Sequence, residues 1–402
     1  MTSHNLPIGR RVARLRARRG MTQQMLADQL GKSKSWVDKV ERGIRTLDKV
    51  SVIQEVAAAL RVDAALLLGR ATPPEPGSGS VAAGVDGVRA ALARYDAVPA
   101  GPGDPAAATP IGELGGRVGH AWLTYEHADY PGLLRLLPEL LGDAQRAHHD
   151  RRGDRTAGLL VQVYRLTASV LVKLGEADLG WLAADRAMAV AAGDAPLSAT
   201  ATVPVGQALR ALGRARLALA ATVPAAQRIA TRRSADTPEL LPLRGALLVE
   251  AARAAAGCGE ARSVRELLDL ATRIAVRMNE GHDDPHRIGF GPVTVALARV
   301  STAVDLGEGR EAIIRHADVI GSDGWRRLPV EHRASYLLDV ARAHLLVGDP
   351  LTAGRALVEA DRTAPAEIRL RPVARTLIAA LARAGPLPAD VACLATAVGL
   401  PG

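Results

Sequence analysis

Between Lys32 and Arg45 the chain sets Lys32, Lys34, Lys39, Arg42 and Arg45 among the short hydroxyl side chains Ser33 and Ser35. Cations of this kind neutralise phosphates, and Lys, Ser and Arg side chains on one helix face hydrogen-bond to base edges. The chemistry on offer is non-covalent recognition of a polyanion, double-stranded DNA above all. Reaction chemistry has no comparable set: the sequence holds no Gly-rich phosphate loop, no nucleophile elbow and no zinc motif. The chain therefore reads as a non-enzyme, with no cofactor and no metal expected.

These side chains need elements to hold them. Thr22 can cap a short helix whose inner face is Met25, Leu26 and Leu30, with Ala27 small enough for a second helix to cross closely. Gly31 tolerates the positive φ of a sharp turn, and Ser33 can cap a second helix with Val37 and Val40 facing inward. That is a helix-turn-helix, and it leaves Lys34, Ser35, Asp38 and Lys39 on the outer face, where a recognition helix meets the major groove. A preceding helix is expected over Ile8 to Arg19, with Ile8, Val12 and Leu15 inside and Arg10, Arg11, Arg14 and Arg18 outside. Downstream, Asp48 can cap a helix carrying Val50, Ile53, Val56, Ala57 and Leu60, and Asp63 a last one through Leu68, ended by Gly69. Residues 1–70 thus read as a five-helix DNA-binding domain.

Residues 8–69, with Gln23, Ala27, Gly31, Ser33, Val37, Val40, Glu41 and Gly43 at fixed offsets, resemble the xenobiotic-response-element class of helix-turn-helix regulators, relatives of phage repressor and Cro proteins. The resemblance implies that Gln23 bonds a phosphate from the first turn of its helix, that Lys34, Ser35 and Lys39 face bases, and that Arg42 and Arg45 grip the backbone. Gln24, Lys32, Ser33 and Trp36 complete the expected DNA-facing set. The resemblance also implies a structural ion pair between Arg16 and Glu41. Trp36 stands where a small polar residue is usual, and its indole can pack either on the sugar-phosphate wall or against Met25. The alternative to DNA reading is a five-helix module that binds protein.

Charge distribution favours DNA. Residues 1–70 hold 14 Lys or Arg against 6 Asp or Glu, a net of +8, whereas the whole chain carries +9, which leaves +1 for the other 332 residues. Lys is rare, yet Lys32, Lys34, Lys39 and Lys49 all fall in this domain. Aromatics are 2% of the 402 residues, with a single Phe, so Ala, Leu and Val must fill the core and an all-α protein is expected. The two cysteines, Cys258 and Cys393, lie too far apart for a metal knuckle and read as buried thiols in a reducing cytoplasm. Neither a membrane span nor a signal peptide is supported, so the expected location is cytoplasmic.

The stretch from Ala71 to Ser80, rich in Pro, Gly and Ser, reads as a linker. Within 71–110 the composition allows one helix, over 81–95, followed by a second slack segment from Val98 to Pro110. From Ile111 to the end, turn signals recur at Gly175, Gly213, Gly257, Gly307 and Gly348, at intervals of 38, 44, 50 and 41. A tetratricopeptide repeat has small residues five and twelve positions past the turn, where its helices cross. Gly180 and Ala187, Ala218 and Ala225, and Ala353 and Ala360 satisfy both offsets; Ala312 and Val319 satisfy one; the Gly257 repeat misses both. Pro365 falls where the repeat's proline does. Residues 111–402 therefore resemble a degenerate tetratricopeptide-like α-solenoid, a plain Ala-rich helical bundle being the alternative.

A helix-turn-helix joined to such repeats resembles two groups: a large set of regulators from GC-rich bacteria, which the run from Phe290 through Pro365 matches, and the peptide-sensing regulators of quorum signalling. Phe290, Gly291 and Pro292 keep the first group's pattern, but Val293 and Thr294 stand where Thr and Asn are expected. The implied function is a transcriptional regulator, a homodimer through its repeats, that senses a small molecule or peptide; the alternative is a DNA-tethered adaptor whose repeats dock another protein. Candidate ligand contacts are Tyr164, His286, Phe290 and Tyr336, with Tyr125, Trp181 and Trp325 divided between ligand contact and inter-helix packing. The loop from Asn279 to Pro292, with His282, Asp283, Asp284 and His286, can be a polar connection, a gate over a ligand or a metal site. His148 and His149, at a helix end, are expected in solvent.

Overall fold

The computed structural model describes residues 8–18, 21–45, 78–94, 109–230, 239–278, 284 and 286–400, together with Val52, Glu55, Val56 and Ala59. Helix is the regular structure throughout these residues, in accord with the all-α expectation. The chain divides into two compact units, Met1–Ser80 and Val81–Gly402. Expectations for Asp48, Lys49, Val50, Ile53, Ala57, Leu60, Asp63 through Gly69, the 71–77 linker, His282 and Asp283, and for the side chains of Arg11, Arg14, Leu15 and Arg18, fall outside the described residues.

In the first unit, α1 (Ile8–Arg18), α2 (Gln23–Gln29) and α3 (Lys34–Glu41) enclose a small core of Val12, Leu26, Ala27, Val37, Val40 and Val56. Leu26, Ala27 and Leu30 share one face of α2 at helical spacing, which turns Met25 outward by about 100°. Met25, expected inside, is accordingly 49% exposed. Gly9 explains how closely α1 crosses α3: a Cβ there would lie 1.9 Å from the Val40 carbonyl oxygen.

Helix α4 (Ser78–Leu92) runs across the boundary into the second unit, so Ser78 to Ser80, read as linker, form its first turn. Val85, Val88, Ala91 and Leu92 of α4 are buried in the core of this unit. Helix pairs follow: α5 (Ile111–Glu126) and α6 (Tyr130–Asp150), α7 (Asp154–Lys173) and α8 (Ala177–Val190), α9 (Ala195–Ala211) and α10 (Ala215–Ala230), α11 (Leu240–Gly257) and α12 (Ala261–Arg277), α13 (Pro292–Asp305) and α14 (Gly309–Gly321). After the short α15 (Asp323–Arg327) come α16 (Val330–Leu346) and α17 (Pro350–Thr363), the short α18 (Pro365–Arg369), and finally α19 (Pro372–Ala384) and α20 (Ala389–Ala397). None of the described helices is long and apolar enough to cross a membrane.

One turn recurs within these pairs. A left-handed residue, Gly175, Gly213, Gly259, Gly307 or Gly348, follows the first helix, and its N–H and the next bond back to carbonyls in the last turn, as Gly175 N does to Val172 O and Glu176 N to Leu171 O. This double closure satisfies helix-end carbonyls and needs the positive φ that glycine adopts at least expense. The turn of the α11–α12 pair is therefore at Gly259, not Gly257, which is still helical. Counting from Gly259, the five and twelve offsets fall on Val264 and Ala271, both buried, so the repeat that missed both positions keeps its inter-helix crossing. At the corresponding turn between α5 and α6 stands Ala128, with φ of 55°.

The solenoid's ends meet. One core cluster joins residues of α4 to α9 with residues of α13 to α20, while a second cluster fills the middle of the solenoid, between α9 and α13. At the junction Lys173 Nζ lies 2.7 Å from Glu367 Oε1 and also pairs with Glu331, Arg371 pairs with Glu367, and the Tyr130 hydroxyl donates to Glu367. Burial pushes the Glu367 carboxyl up, but Lys173 and Arg371 outweigh it and bring it below the usual carboxylate range. Contrary to expectation, Cys258 is half-buried and Cys393 exposed.

Candidate nucleic-acid interface and effector cavities

The helix-turn-helix is built by its caps. Thr22 Oγ1 accepts from Met25 N at 3.1 Å and Ser33 Oγ from Trp36 N at 3.2 Å, which starts α2 and α3 at fixed residues. Between them Gly31 takes φ of 60°. With Val37 and Val40 buried, α3 presents Lys34, Ser35 and Lys39 as exposed side chains, and Lys32 and Ser33 are exposed just before it.

The ion pair behind this face is bidentate: Arg16 Nε lies 2.6 Å from Glu41 Oε1, and Arg16 Nη2 donates to Glu41 Oε2 at 3.0 Å. Arg16 Nη1 also donates to the Met21 carbonyl at 2.6 Å, so one guanidinium ties α1, the loop before α2 and the end of α3. Its hydrogen bond to Glu41 raises the Arg16 pKa. Gln23 Nε2 donates to Glu41 Oε2 at 2.8 Å and joins the same network.

Other residues of the DNA-facing set also have neighbours of their own. Arg42 pairs with Asp38 at 3.4 Å on the exposed side of α3, and Gln24 Nε2 donates to Asp28 at 2.8 Å. Trp36 is half-buried against the core of the module, with the Arg45 guanidinium 5.9 Å from its ring centroid. Exposed Met25 is not part of that cluster.

Two of the cavities in the second unit bear on the candidate ligand residues. A cleft of about 790 Å³ opens beside Phe290 and the start of α13, with Arg299, Arg315 and Arg327 on its wall. Another, of about 520 Å³, is lined chiefly by the first helices of successive pairs and reaches the junction of the ends at Tyr125, Lys173, Glu331 and Arg371. The four candidate ligand residues do not converge. Phe290 lines the first cavity and presses on α11, where a Cβ on Gly245 would lie 2.2 Å from the ring. Tyr336 lines the second, its hydroxyl 3.0 Å from His316 Nδ1 and its ring 5.5 Å from Trp325. Tyr164 borders neither; its hydroxyl accepts from Gln145 at 2.8 Å. His286 borders neither, and burial, with Arg165 nearby, lowers its pKa.

Arg165 pins the loop of His286. Its guanidinium donates to the His286 and Arg287 carbonyls at 2.7 and 3.3 Å and lies 5.4 Å from the Trp122 ring centroid. Burial lowers its pKa to about 10. Among the described residues no group of His, Cys, Asp and Glu is placed to hold a metal ion. Trp181 is 47% exposed, His149 is exposed, and His148, expected in solvent, is half-buried with Nδ1 3.2 Å from Thr156 Oγ1.

Sequence reasoning missed Arg165, Glu331 and Glu367, whose partners His286 and Lys173 lie more than a hundred residues away, and Arg371, which pairs with Glu367 four residues before it. Lys173 had a signal: it is the one Lys of the chain outside the basic N-terminal domain.

Residues 7–68 match the helix-turn-helix domain family. No protein of curated function matches the chain in sequence. Among solved structures, the chain is similar to that of Bacillus thuringiensis PlcR in complex with the peptide PapR7 and DNA, at 13% identity, over 88% of this chain and 98% of that one, with a TM-score of 0.37. Residues 7–68 are thus a helix-turn-helix domain, and the chain continues into helical repeats.

Proposed function

We propose that this protein is a sequence-specific transcriptional regulator of the xenobiotic-response-element class, working as a homodimer in the cytoplasm, whose helical-repeat unit holds an effector and biases DNA binding. It carries out no reaction of its own. The observation that carries the reading is the exposed Lys34, Ser35 and Lys39 face of α3, held rigid from behind by Arg16, Gln23 and Glu41. A face so placed enters the major groove, while Arg42 and Arg45 flank it for phosphates. Two cavities in the repeat unit give an effector, small molecule or peptide, somewhere to sit.

Selection of bound sites from a random duplex pool by the full chain, followed by protection mapping, tests this. Two half-sites about 34 Å apart, or a multiple of that, are expected of a two-fold pair. A pool that shows no sequence enrichment contradicts the reading. The adaptor reading draws on Val276, Ile314 and Leu217, which are 78%, 64% and 56% exposed on second helices of their pairs. A protein that co-purifies stoichiometrically and is lost on Ile314→Glu favours the adaptor.

A further inference from the structure

The 520 Å³ cavity is walled by five Lys and Arg side chains, Lys173, Arg210, Arg253, Arg342 and Arg371. Four of them are held by carboxylates: Lys173 by Glu331 and Glu367, Arg210 by Glu250 at 2.5 Å, Arg342 by Asp305 at 2.9 Å and Asp339 at 3.4 Å, and Arg371 by Glu367. Arg253, on the first helix of the middle pair, is different. It makes no hydrogen bond or ion pair among the described residues, and its Nε is buried without a partner. Its charge acts on Asp339 more strongly than that of Arg342 does, but no hydrogen bond joins Arg253 to that carboxylate.

A buried guanidinium N–H without an acceptor is unfavourable, and the planar fork of the group fits a carboxylate or phosphate through two parallel hydrogen bonds. The rest of the lining suits a small organic molecule. Ser169, Gln207 and Ser301 offer uncharged hydrogen-bonding groups, and Leu297 and Leu338 an apolar wall. The volume falls within the roughly 300 to 1,000 Å³ usual for ligand sites. The junction through Lys173, Glu331, Glu367 and Arg371 joins the first pairs to the last, so the concave face is bounded rather than an open-ended groove.

We propose that this cavity is an anion site: a small organic acid places one carboxylate or phosphate head on Arg253 and its apolar body against Leu297 and Leu338. The proposal rests on the reading of the repeat unit as an effector sensor and names the class of effector. The anion supplies the hydrogen-bond acceptors that no described residue of the cavity gives Arg253. The other four cations are already paired with carboxylates, so the head group is directed to Arg253.

The test is thermal melting of the full chain at constant ionic strength with sodium benzoate, phenyl phosphate and the neutral benzamide as probes, alongside Arg253→Gln. A ligand that binds only the folded state raises Tm with a saturable dose dependence. Saturation with benzoate, phenyl phosphate or both, and none with benzamide, is expected, and the choice of anion separates a carboxylate from a phosphate site. Arg253→Gln abolishes the anion response and, without anion, keeps a cooperative melt. An anion response that survives Arg253→Gln, or no saturable response in the unsubstituted protein, would overturn the assignment. DNA affinity measured in the same series separates the two ideas: a saturable, Arg253-dependent Tm rise with unchanged DNA affinity supports the site and removes its regulatory role.

Discussion

Replacing Arg16 by Ala leaves Glu41 as a buried carboxylate, and the size of the effect follows from what remains around it. The Arg16 and Glu41 side chains are 16% and 6% exposed and meet through two charge-assisted hydrogen bonds. Removing one member of a buried pair destabilises by about 3 to 5 kcal/mol. The loss should lie near the lower end of that range, because Gln23 Nε2 still donates to Glu41 at 2.8 Å. About 3 kcal/mol is roughly a hundredfold in an equilibrium constant, and it is a large share of the stability of a module this small. Amide hydrogen exchange of the full chain, read at Leu26, Ala27, Val37 and Val40, reports the opening of this module apart from the repeats. Protection there should fall about a hundredfold, while α7 and α16 stay unchanged. The paired replacement Arg16→Met with Glu41→Leu, which leaves no orphaned charge, should restore much of the protection. A loss under about fivefold for Arg16→Ala, or a paired variant no better than the single one, refutes the account of this network as the module's charged clasp.

Gly9→Ala should loosen α1 from α3, since a Cβ 1.9 Å from the Val40 carbonyl oxygen forces the helices apart; about 1 to 3 kcal/mol is expected in the same exchange experiment. Acid should open the junction of the solenoid's ends: Glu367 has its carboxyl lowered in the folded state, so its stabilisation is present above the ordinary value of 4.5 and is lost as pH falls below it. Glu367→Gln should flatten that acid limb when unfolding is followed by exchange in α7 and α18, and an unchanged limb argues against it. The full chain should scatter light as a dimer at micromolar concentration with and without DNA, and a monomeric mass in both states contradicts the proposed assembly.

Local signals in the sequence carried the DNA-binding module well. Thr22 and Ser33 cap the helices they were expected to cap, and Gly31 turns with the positive φ its position demands. Met25 went astray because one residue along a seven-residue helix swings a side chain by about 100°, and hydrophobicity alone does not choose between Met25 and Ala27. In the repeats the period was legible, but the stretch Ala256-Gly257-Cys258-Gly259 offers two glycines, and choosing the first displaced the register by two residues and hid Val264 and Ala271. The cavities were not legible. The 520 Å³ one lies where residues near 125 and 173 meet those near 331 and 371, and no spacing rule links residues so distant; the 790 Å³ one is lined by residues between 242 and 327. Packing separates the aromatic residues: Tyr164 turns to Gln145, Phe290 to Gly245 and Tyr336 to His316.

The central claim is that the exposed face of α3 reads bases while its flanks hold phosphates. Affinities of Ser35→Ala, Lys39→Ala and Arg42→Ala for the selected site and for random duplex, each over a range of salt, test it most directly. The account predicts that Ser35→Ala and Lys39→Ala lose roughly 1 to 3 kcal/mol mainly on the selected site, whereas Arg42→Ala weakens binding to both duplexes and lowers the salt slope by about 1. Equal losses on selected and random DNA for all three variants would contradict it.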